Sequence, residues 1–515
     1  MPGPPFSATD MIGRVSATAA VTAGHLRLKS APGRWTIAAT VLGSGMAFLD
    51  ATVVNVALPA IAKDFDADLA TLQWTVNAYT LTLAGLLILG GALGDRLGRR
   101  RVFVAGAIWF AAASVLCAAA PTSETLIAAR ALQGVGGALL TPGSLAILEA
   151  SFQEDDRGGA IGAWSGLGGI AGAVGPFVGG YLVQAWSWRL IFLINVPLAA
   201  AVVVVSLRHV PESMDTEARK QPLDVAGGVL GALGLAGLTF ALTEGPARGW
   251  TEPLVLVPMI AGILLLAAFI AVERSRSNPL MPLSLFRIRQ FSAANVVTVA
   301  VYAALGATIF LLPIQLQVVL GYSPVEAGAA LVPLTIVLLL LSSRAGRLAQ
   351  RIGPRLPMTV GPLVAAAGVA LLSRVGAGSS YAADVLPAVL VWALGMSLTV
   401  APLTAAALGA AGPRHSGVAA AINNDAARVA GLLAVAVVPA LAGLSTAGTI
   451  DPSAFSDGFH TALLIAAGLL AAGGVLAFLT MPGKPREEPA GRCYHSCPLD
   501  APPPAPDPER AATAS

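Results

Sequence analysis

Gly168-Gly169-Ile170-Ala171-Gly172-Ala173-Val174-Gly175-Pro176-Phe177-Val178-Gly179-Gly180 lies inside an apolar run from about Ala160 to Gln184. In water this composition resists helix, because an interior Gly costs about 1 kcal/mol and a Pro about 3 kcal/mol relative to Ala. In a bilayer the balance reverses. An unpaired amide in hydrocarbon costs several kcal/mol, so the backbone must bond to itself. The stretch reads as a membrane helix that is bent and closely packed. Gly168, Gly172, Pro176 and Gly180 recur at spacing four on one face. Gly175 and Gly179 form a small-xxx-small pair beside them. Pro176 removes one amide donor, which predicts a kink. The residues alone leave two roles open, passive packing or a joint that moves.

The rest of the chain is built for the same solvent. Of 515 residues 56% are hydrophobic and 11% charged, with a mean hydropathy of +0.75. A soluble domain carries about 25% charged residues. Apolar runs of spanning length predict helices near 36–58, 72–93, 102–120, 124–150, 160–184 and 188–208. Two more follow near 223–243 and 254–273, then six near 291–314, 325–343, 357–375, 383–409, 417–443 and 460–481. The expected fold class is an all-α polytopic membrane protein with fourteen transmembrane helices, two six-helix halves plus two extra helices. The expected organisation is a disordered basic cytoplasmic arm at 1–35, an N-terminal half at 36–208, a linker with the two additional helices at 209–290, a C-terminal half at 291–481 and a Pro-rich disordered tail at 482–515. No cleavable signal peptide is expected, since the first 34 residues lack a short apolar core followed by a cleavage site.

Basic residues set the expected orientation. With the N-terminus inside, 25 of the 31 Lys and Arg fall in tails or cytoplasmic loops. This predicts cytoplasmic termini in a cell membrane. Only four are Lys, which with the Ala and Gly usage suggests a GC-rich bacterial genome, hence a bacterial inner membrane. An internal repeat points the same way. Gly91-Ala92-Leu93-Gly94-Asp95-Arg96-Leu97-Gly98-Arg99-Arg100 follows the second span, and Gly346-Arg347-Leu348-Ala349-Gln350-Arg351-Ile352-Gly353-Pro354-Arg355 follows the second span of the other half. Parallel repeats about an axis along the membrane normal are a transporter architecture, with the substrate site between the halves.

A charge at the bilayer centre costs roughly 2.5–3.5 kcal/mol on insertion scales, so each one is a functional candidate. Asp50 in the first span and Arg130 in the fourth lie at matching depth and can face each other. They can form a structural ion pair, or Asp50 can carry a proton beside Arg130. Asn423, Asn424, Asp425 and Arg428 lie in the thirteenth span. Asp425 and Arg428, three apart, can pair locally or line a cavity. Glu149, Asp224 and Glu244 read as helix-end groups. Asn55, Gln73, Trp74, Asn77, Tyr79, Gln133, Gln315 and Gln317 can line a cavity or satisfy neighbouring helices.

Other chemistries are not expected. Gly134-Val135-Gly136-Gly137 and Gly166-Leu167-Gly168-Gly169 lack the strand and the Lys of a phosphate loop. Cys493-Tyr494-His495-Ser496-Cys497 lacks a fourth ligand, so no metal is expected. The five His lie at tails or loops, and no nucleophile–base set can be assembled. No enzyme activity, cofactor or nucleic-acid partner is expected. The implied partners are the bilayer, a small-molecule substrate and protons.

Four motifs resemble the major facilitator superfamily, and within it the fourteen-helix drug:proton antiporters. Gly91 through Arg101 resembles the signature loop. Leu126-Ile127-Ala128-Ala129-Arg130-Ala131-Leu132-Gln133-Gly134-Val135-Gly136 resembles the fourth-helix motif. Gly172 to Gly180 resembles the antiporter motif of the fifth helix. Leu49-Asp50-Ala51-Thr52-Val53-Val54-Asn55-Val56-Ala57-Leu58-Pro59 resembles the first-helix motif of that branch. Trp186-Ser187-Trp188-Arg189-Leu190-Ile191-Phe192-Leu193-Ile194-Asn195-Val196-Pro197 adds further agreement. The resemblance implies export of amphipathic compounds by alternating access. Gly91, Asp95, Arg96, Gly98, Arg99 and Arg100 would form a conformational latch. Asp50 and Arg130 would serve proton coupling; Asp425, an acid within a span, is a further proton-coupling candidate from the residues alone. Gly172, Gly175, Pro176, Gly179 and Gly180 would form the joint between the halves. Read from the residues and not from the resemblance, Asn55, Trp74, Asn77, Tyr79, Gln133, Gln315 and Asn424 are the candidates to line a substrate cavity. Two departures stand out: Gln350 replaces the loop Asp in the second half, and Asp425 adds an acid to the thirteenth span. A facilitator or importer of a polar metabolite on the same fold is the alternative.

Overall fold

The structure, a computed structural model, describes residues 26–215, 224–276, 279–412, 416–444 and 450–483. Among them are fourteen helices long and apolar enough to cross a membrane. They are α1 (Ala31–Phe65), α2 (Leu69–Leu97), α3 (Arg99–Ala119), α4 (Ser123–Ser151), α5 (Glu154–Ala185), α6 (Leu190–His209), α7 (Val225–Arg248) and α8 (Pro253–Ser275). The second half holds α9 (Arg289–Val319), α10 (Pro324–Ile352), α11 (Arg355–Leu372), α12 (Tyr381–Ala411), α13 (Gly417–Leu441) and α14 (Pro452–Thr480).

The helices outrun several expected ends because polar caps extend them. Ser30 accepts a hydrogen bond from Gly33 N at 3.1 Å, so α1 begins at Ala31 rather than 36. Asp451 accepts from Ala454 N at 2.9 Å and Ser453 N at 3.0 Å, so α14 begins at Pro452 rather than 460. Those bonds, with that of the Ser453 hydroxyl, hold the Asp451 carboxyl below its usual range. His460 consequently lies inside a helix, not in a loop. The basic arm also needs correction at its inner end. Leu26 N donates to Ser151 O at 3.0 Å and Leu28 N to Asp156 Oδ2 at 2.9 Å, which docks this segment on the α4–α5 connection. Residues 1–25 and the Cys493–Cys497 cluster lie outside the described residues.

The repeat is visible in the turns. Gly98 (φ +106°) joins α2 to α3 and Gly353 (φ +89°) joins α10 to α11. These are left-handed positions that favour Gly. Gly91 faces Pro142 of α4, as Gly346 faces Ala401 of α12.

α5 runs unbroken through Pro176. Its glycines pack on two partners. A Cβ on Gly179 would stand 2.8 Å from Val53 Cγ1, and one on Gly175 would overlap the Thr52 hydroxyl, both on α1. A Cβ on Gly180 would overlap the carbonyl oxygen of Pro324 in α10, and one on Gly328 of α10 would overlap that of Pro176. Gly172 and Gly166, nearer the termini, have no such neighbour, which corrects the close packing expected at Gly172.

The halves are therefore sealed at the end of the bundle remote from the chain termini. Three hydrogen bonds cross there: Gln73 Nε2 to Val435 O at 2.7 Å, Gln317 Nε2 to Val56 O at 2.9 Å and Val325 N to Gln184 Oε1 at 3.4 Å. Among the described residues no side-chain hydrogen bond joins the halves at the terminal end. α7 packs along α2, where Gly85 meets Ala232 and Trp74 Nε1 donates to Glu244 Oε1 at 2.9 Å. α8 crosses α7 at Gly234, Gly237 and Gly262, and its Val257, Ile263 and Leu264 are exposed.

Candidate functional site

Asp50 is 0% exposed and Arg130 1%, and their side chains meet. Arg130 Nη1 donates to Asp50 Oδ2 at 2.5 Å. Gln133 Nε2 donates to Asp50 Oδ1 at 2.8 Å, and Asn195 Nδ2 to the same oxygen at 3.1 Å. Both amides also donate to the Ser114 hydroxyl, at 2.9 and 3.3 Å. Arg130 Nε donates to Thr75 O at 3.1 Å, and its guanidinium lies over the Tyr79 ring, 4.4 Å from the centroid. Residues of five helices of one half, α1, α2, α3, α4 and α6, thus join one network centred on the Asp50 carboxylate. Such a network is worth more than isolated pairs, because removing one member leaves buried polar groups unpaired.

The sequence brought Asp50 and Arg130 together but missed Asn195 and Ser114. Asn195 was visible as an amide in an apolar run; Ser114 left no signal. Gln133 and Tyr79, expected along a cavity, belong to this network. Trp74 is taken by Glu244, and Asn55 Nδ2 folds back to Ala51 O at 2.9 Å. Gln315 Nε2 donates to Val375 O at 2.8 Å and to the Ser456 hydroxyl at 3.1 Å, inside the second half. Those five side chains are committed to helix contacts. Asn77 is buried with both amide atoms unpartnered, and Asn424 is exposed.

On α13, Asn423 Nδ2 donates to Thr298 Oγ1 at 2.8 Å and Asn295 Oδ1 at 3.2 Å, both on α9. The local Asp425–Arg428 pair is not formed: no ion pair joins them, and Asp425 Oδ1 is buried without a partner. Asp425 and the Asp50 network lie in opposite halves.

At the α2–α3 turn, Asp95 Oδ1 accepts from Arg99 Nε at 2.9 Å. The clamp on this loop is a residue the sequence reading missed. Glu212, after α6, accepts from Arg100 N at 3.1 Å and lies against Gly98. Arg99 N donates to Ser213 O and Asp215 N to Asp95 O, at 2.9 and 2.8 Å. Gly91, Asp95, Gly98, Arg99 and Arg100 thus stay within their own half and its linker. Arg96 lies in the last turn of α2.

A sequence model of the major facilitator superfamily matches residues 40–436. The chain belongs to the major facilitator superfamily. It is a multi-pass membrane transporter of that family, not an enzyme. It is 36% identical to the puromycin resistance protein of Streptomyces alboniger, over 87% of this chain and 91% of that one. It is 35% identical to the tetracenomycin C resistance and export protein of Streptomyces glaucescens, over 82% and 78%. The multidrug resistance protein Stp of Mycobacterium tuberculosis is 34% identical, over 81% and 77%. The fold is shared with the xylose transporter XylE from E. coli, TM-score 0.61 at 14% identity, over 88% of this chain and 97% of that one.

Proposed function

We propose that this transporter exports amphipathic small molecules, drugs or antibiotics, across a bacterial inner membrane in exchange for protons. The carrying observation is the buried Asp50–Arg130 pair, ringed by Gln133 and Asn195, in a chain whose relatives are named for antibiotic resistance and export. The concentration of Lys and Arg supports cytoplasmic termini. The sealed end then faces outward and substrate enters from the cytoplasm, between the halves at 36–208 and 291–481.

In the mechanism we propose, a proton reaching Asp50 from outside removes the charge that holds Arg130. The network then resets against α1, and α1 carries α5 with it through Gly175 and Gly179. Asp425, with an unpartnered oxygen, is the second proton candidate, in the half where the repeat loop lacks its Asp. The loop from Gly91 to Arg100 closes the cytoplasmic end in the outward-open state. Moving one charge inward is worth about 2.3 kcal/mol per 100 mV, to which the pH gradient adds.

The test is a susceptibility panel of amphipathic antibiotics in an efflux-deficient host. The wild-type chain is expected to raise resistance to at least one compound. Asp50→Asn and Arg130→Ala are expected to lose it at equal membrane abundance. Full resistance from Asp50→Asn would remove Asp50 from the coupling.

A further inference from the structure

Three arginines line one cavity of about 730 Å3 at the end of the bundle that holds the chain termini. Arg274 and Arg276 stand at the end of α8, and Arg287 closes the 3-10 turn Leu283–Arg287 before α9. The linker is tied down on this side of the bundle. Glu273 Oε2 accepts from Met281 N at 2.9 Å. The Ser292 hydroxyl donates to Phe286 O at 2.5 Å, and the Phe286 ring meets Phe291 edge-on, centroids 5.4 Å apart. The turn that carries Arg287 is therefore set in place before any ligand arrives.

The charges of this cavity do not cancel. One carboxyl group lines it, Glu273, which is buried and turned to α7, where a Cβ on Gly227 would stand 2.8 Å from its Oε1. Arg276 is matched by Asp224, Nε to Oδ2 at 3.8 Å. Arg274 and Arg287 are exposed and make no hydrogen bond or ion pair with any described residue. Two guanidinium groups are thus left to line the cavity unmatched. Their planar forks suit phosphate oxygens, which they can bond two at a time.

The approach to the cavity is apolar. Ile260, Ile263, Ala267 and Ile270 of α8 are exposed, and they precede Arg274 on one face at spacings of three and four. From Ile263 to Arg274 the helix rises about 17 Å, close to the roughly 15 Å of one leaflet of hydrocarbon. A ligand that fits both parts carries a phosphate at one end and an acyl chain at the other. A zwitterionic headgroup would bring a cation of its own toward the two unmatched arginines, whereas an anionic headgroup brings none. Basic pockets beside membrane helices take anionic headgroups for this reason.

We propose that Arg274 and Arg287 bind the phosphate of an anionic phospholipid whose acyl chain lies along the exposed stripe of α8. This gives the two additional helices a role that export by the two halves does not require: they hold a lipid of chosen charge at the α8–α9 linker.

The test is native mass spectrometry of the full chain in detergent, titrated with dioleoylphosphatidylglycerol, with dioleoylphosphatidylcholine and with glycerol 3-phosphate. The wild type is expected to bind one phosphatidylglycerol at concentrations that leave phosphatidylcholine unbound. Arg274→Gln and Arg287→Gln are each expected to weaken that binding about fivefold. Their unfolding midpoints without lipid are expected to match the wild type, since neither side chain has a protein partner. Arg289→Gln, which removes an exposed cation that does not line the cavity, is expected to bind as the wild type does. Equal binding of phosphatidylcholine would overturn the charge selection. An equal loss in Arg289→Gln would overturn the site in favour of diffuse surface charge. Displacement of the lipid by an equal concentration of glycerol 3-phosphate would overturn it in favour of a soluble anion. A lower lipid-free midpoint in both glutamine variants would make the arginines structural and overturn it as well. Asp50→Asn is expected to bind the lipid unchanged, so a failure of the transport reading leaves this result readable.

Discussion

Gly180 of α5 and Pro324 of α10 meet without room for a single added methyl group between them. Gly328 of α10 meets the Pro176 carbonyl of α5 in the same way. These two crossings hold the halves together at the sealed end, and they involve backbone, which cannot swing aside as a side chain can.

Gly180→Val or Gly328→Val is therefore expected to wedge the seam open. Overpacking costs about 1–3 kcal/mol, which is about 5- to 150-fold in the balance between two states. A cysteine introduced at Gln184 should become more reactive to a membrane-impermeant maleimide in either variant, and export should fall. Unchanged labelling with normal export would mean that the crossing is not part of the moving seam.

Asn195 is expected to matter although it carries no charge. Asn195→Ala removes a donor from a buried carboxylate, a loss of about 1.5–3 kcal/mol for a bond to a charged group. Gln133→Ala should cost more, since Gln133 Oε1 also accepts from Arg130 Nη1 and Cys117 Sγ. Ser114→Ala should cost least. The order is read from unfolding midpoints in detergent. An Asn195→Ala protein as stable and active as the wild type would take Asn195 out of the network.

The two glycines of the α2–α3 loop are expected to part company. Gly98 sits at φ +106° and its missing Cβ would stand 2.7 Å from Glu212 Oε1, so Gly98→Ala combines strain of about 1–2 kcal/mol with a clash. At Gly91 the nearest atom to a Cβ is Pro142 Cβ at an ordinary 3.5 Å, within a helix. Gly91→Ala should be neutral in unfolding midpoint. An equal fall in midpoint from both would show that Gly91 too is held by packing and would contradict the expected neutrality.

Hydropathy made all fourteen helices legible, because a bilayer demands long apolar helices whatever their Gly and Pro content. Matching depth made Asp50–Arg130 legible, since a buried charge needs an opposite charge at its own level. The helix ends were misread where single capping residues, Ser30 and Asp451, decide them. The cavity residues were misread for a different reason. Tyr79, Gln133 and Gln315 are polar groups in spans, and only the rotation of each helix decides whether such a group faces a cavity or a neighbouring helix. Glu212 was invisible because it lies more than a hundred residues from the Arg100 amide it holds.

Coupling through Asp50 predicts proton movement whenever substrate moves. Its most direct test is proton release from inside-out vesicles, followed with a pH-quenched dye, on adding an exported compound to an established pH gradient. The wild type is expected to release protons on addition, and Asp50→Asn to release none at equal protein abundance. Substrate-induced release from Asp50→Asn at the wild-type rate would mean that Asp50 does not carry the coupling.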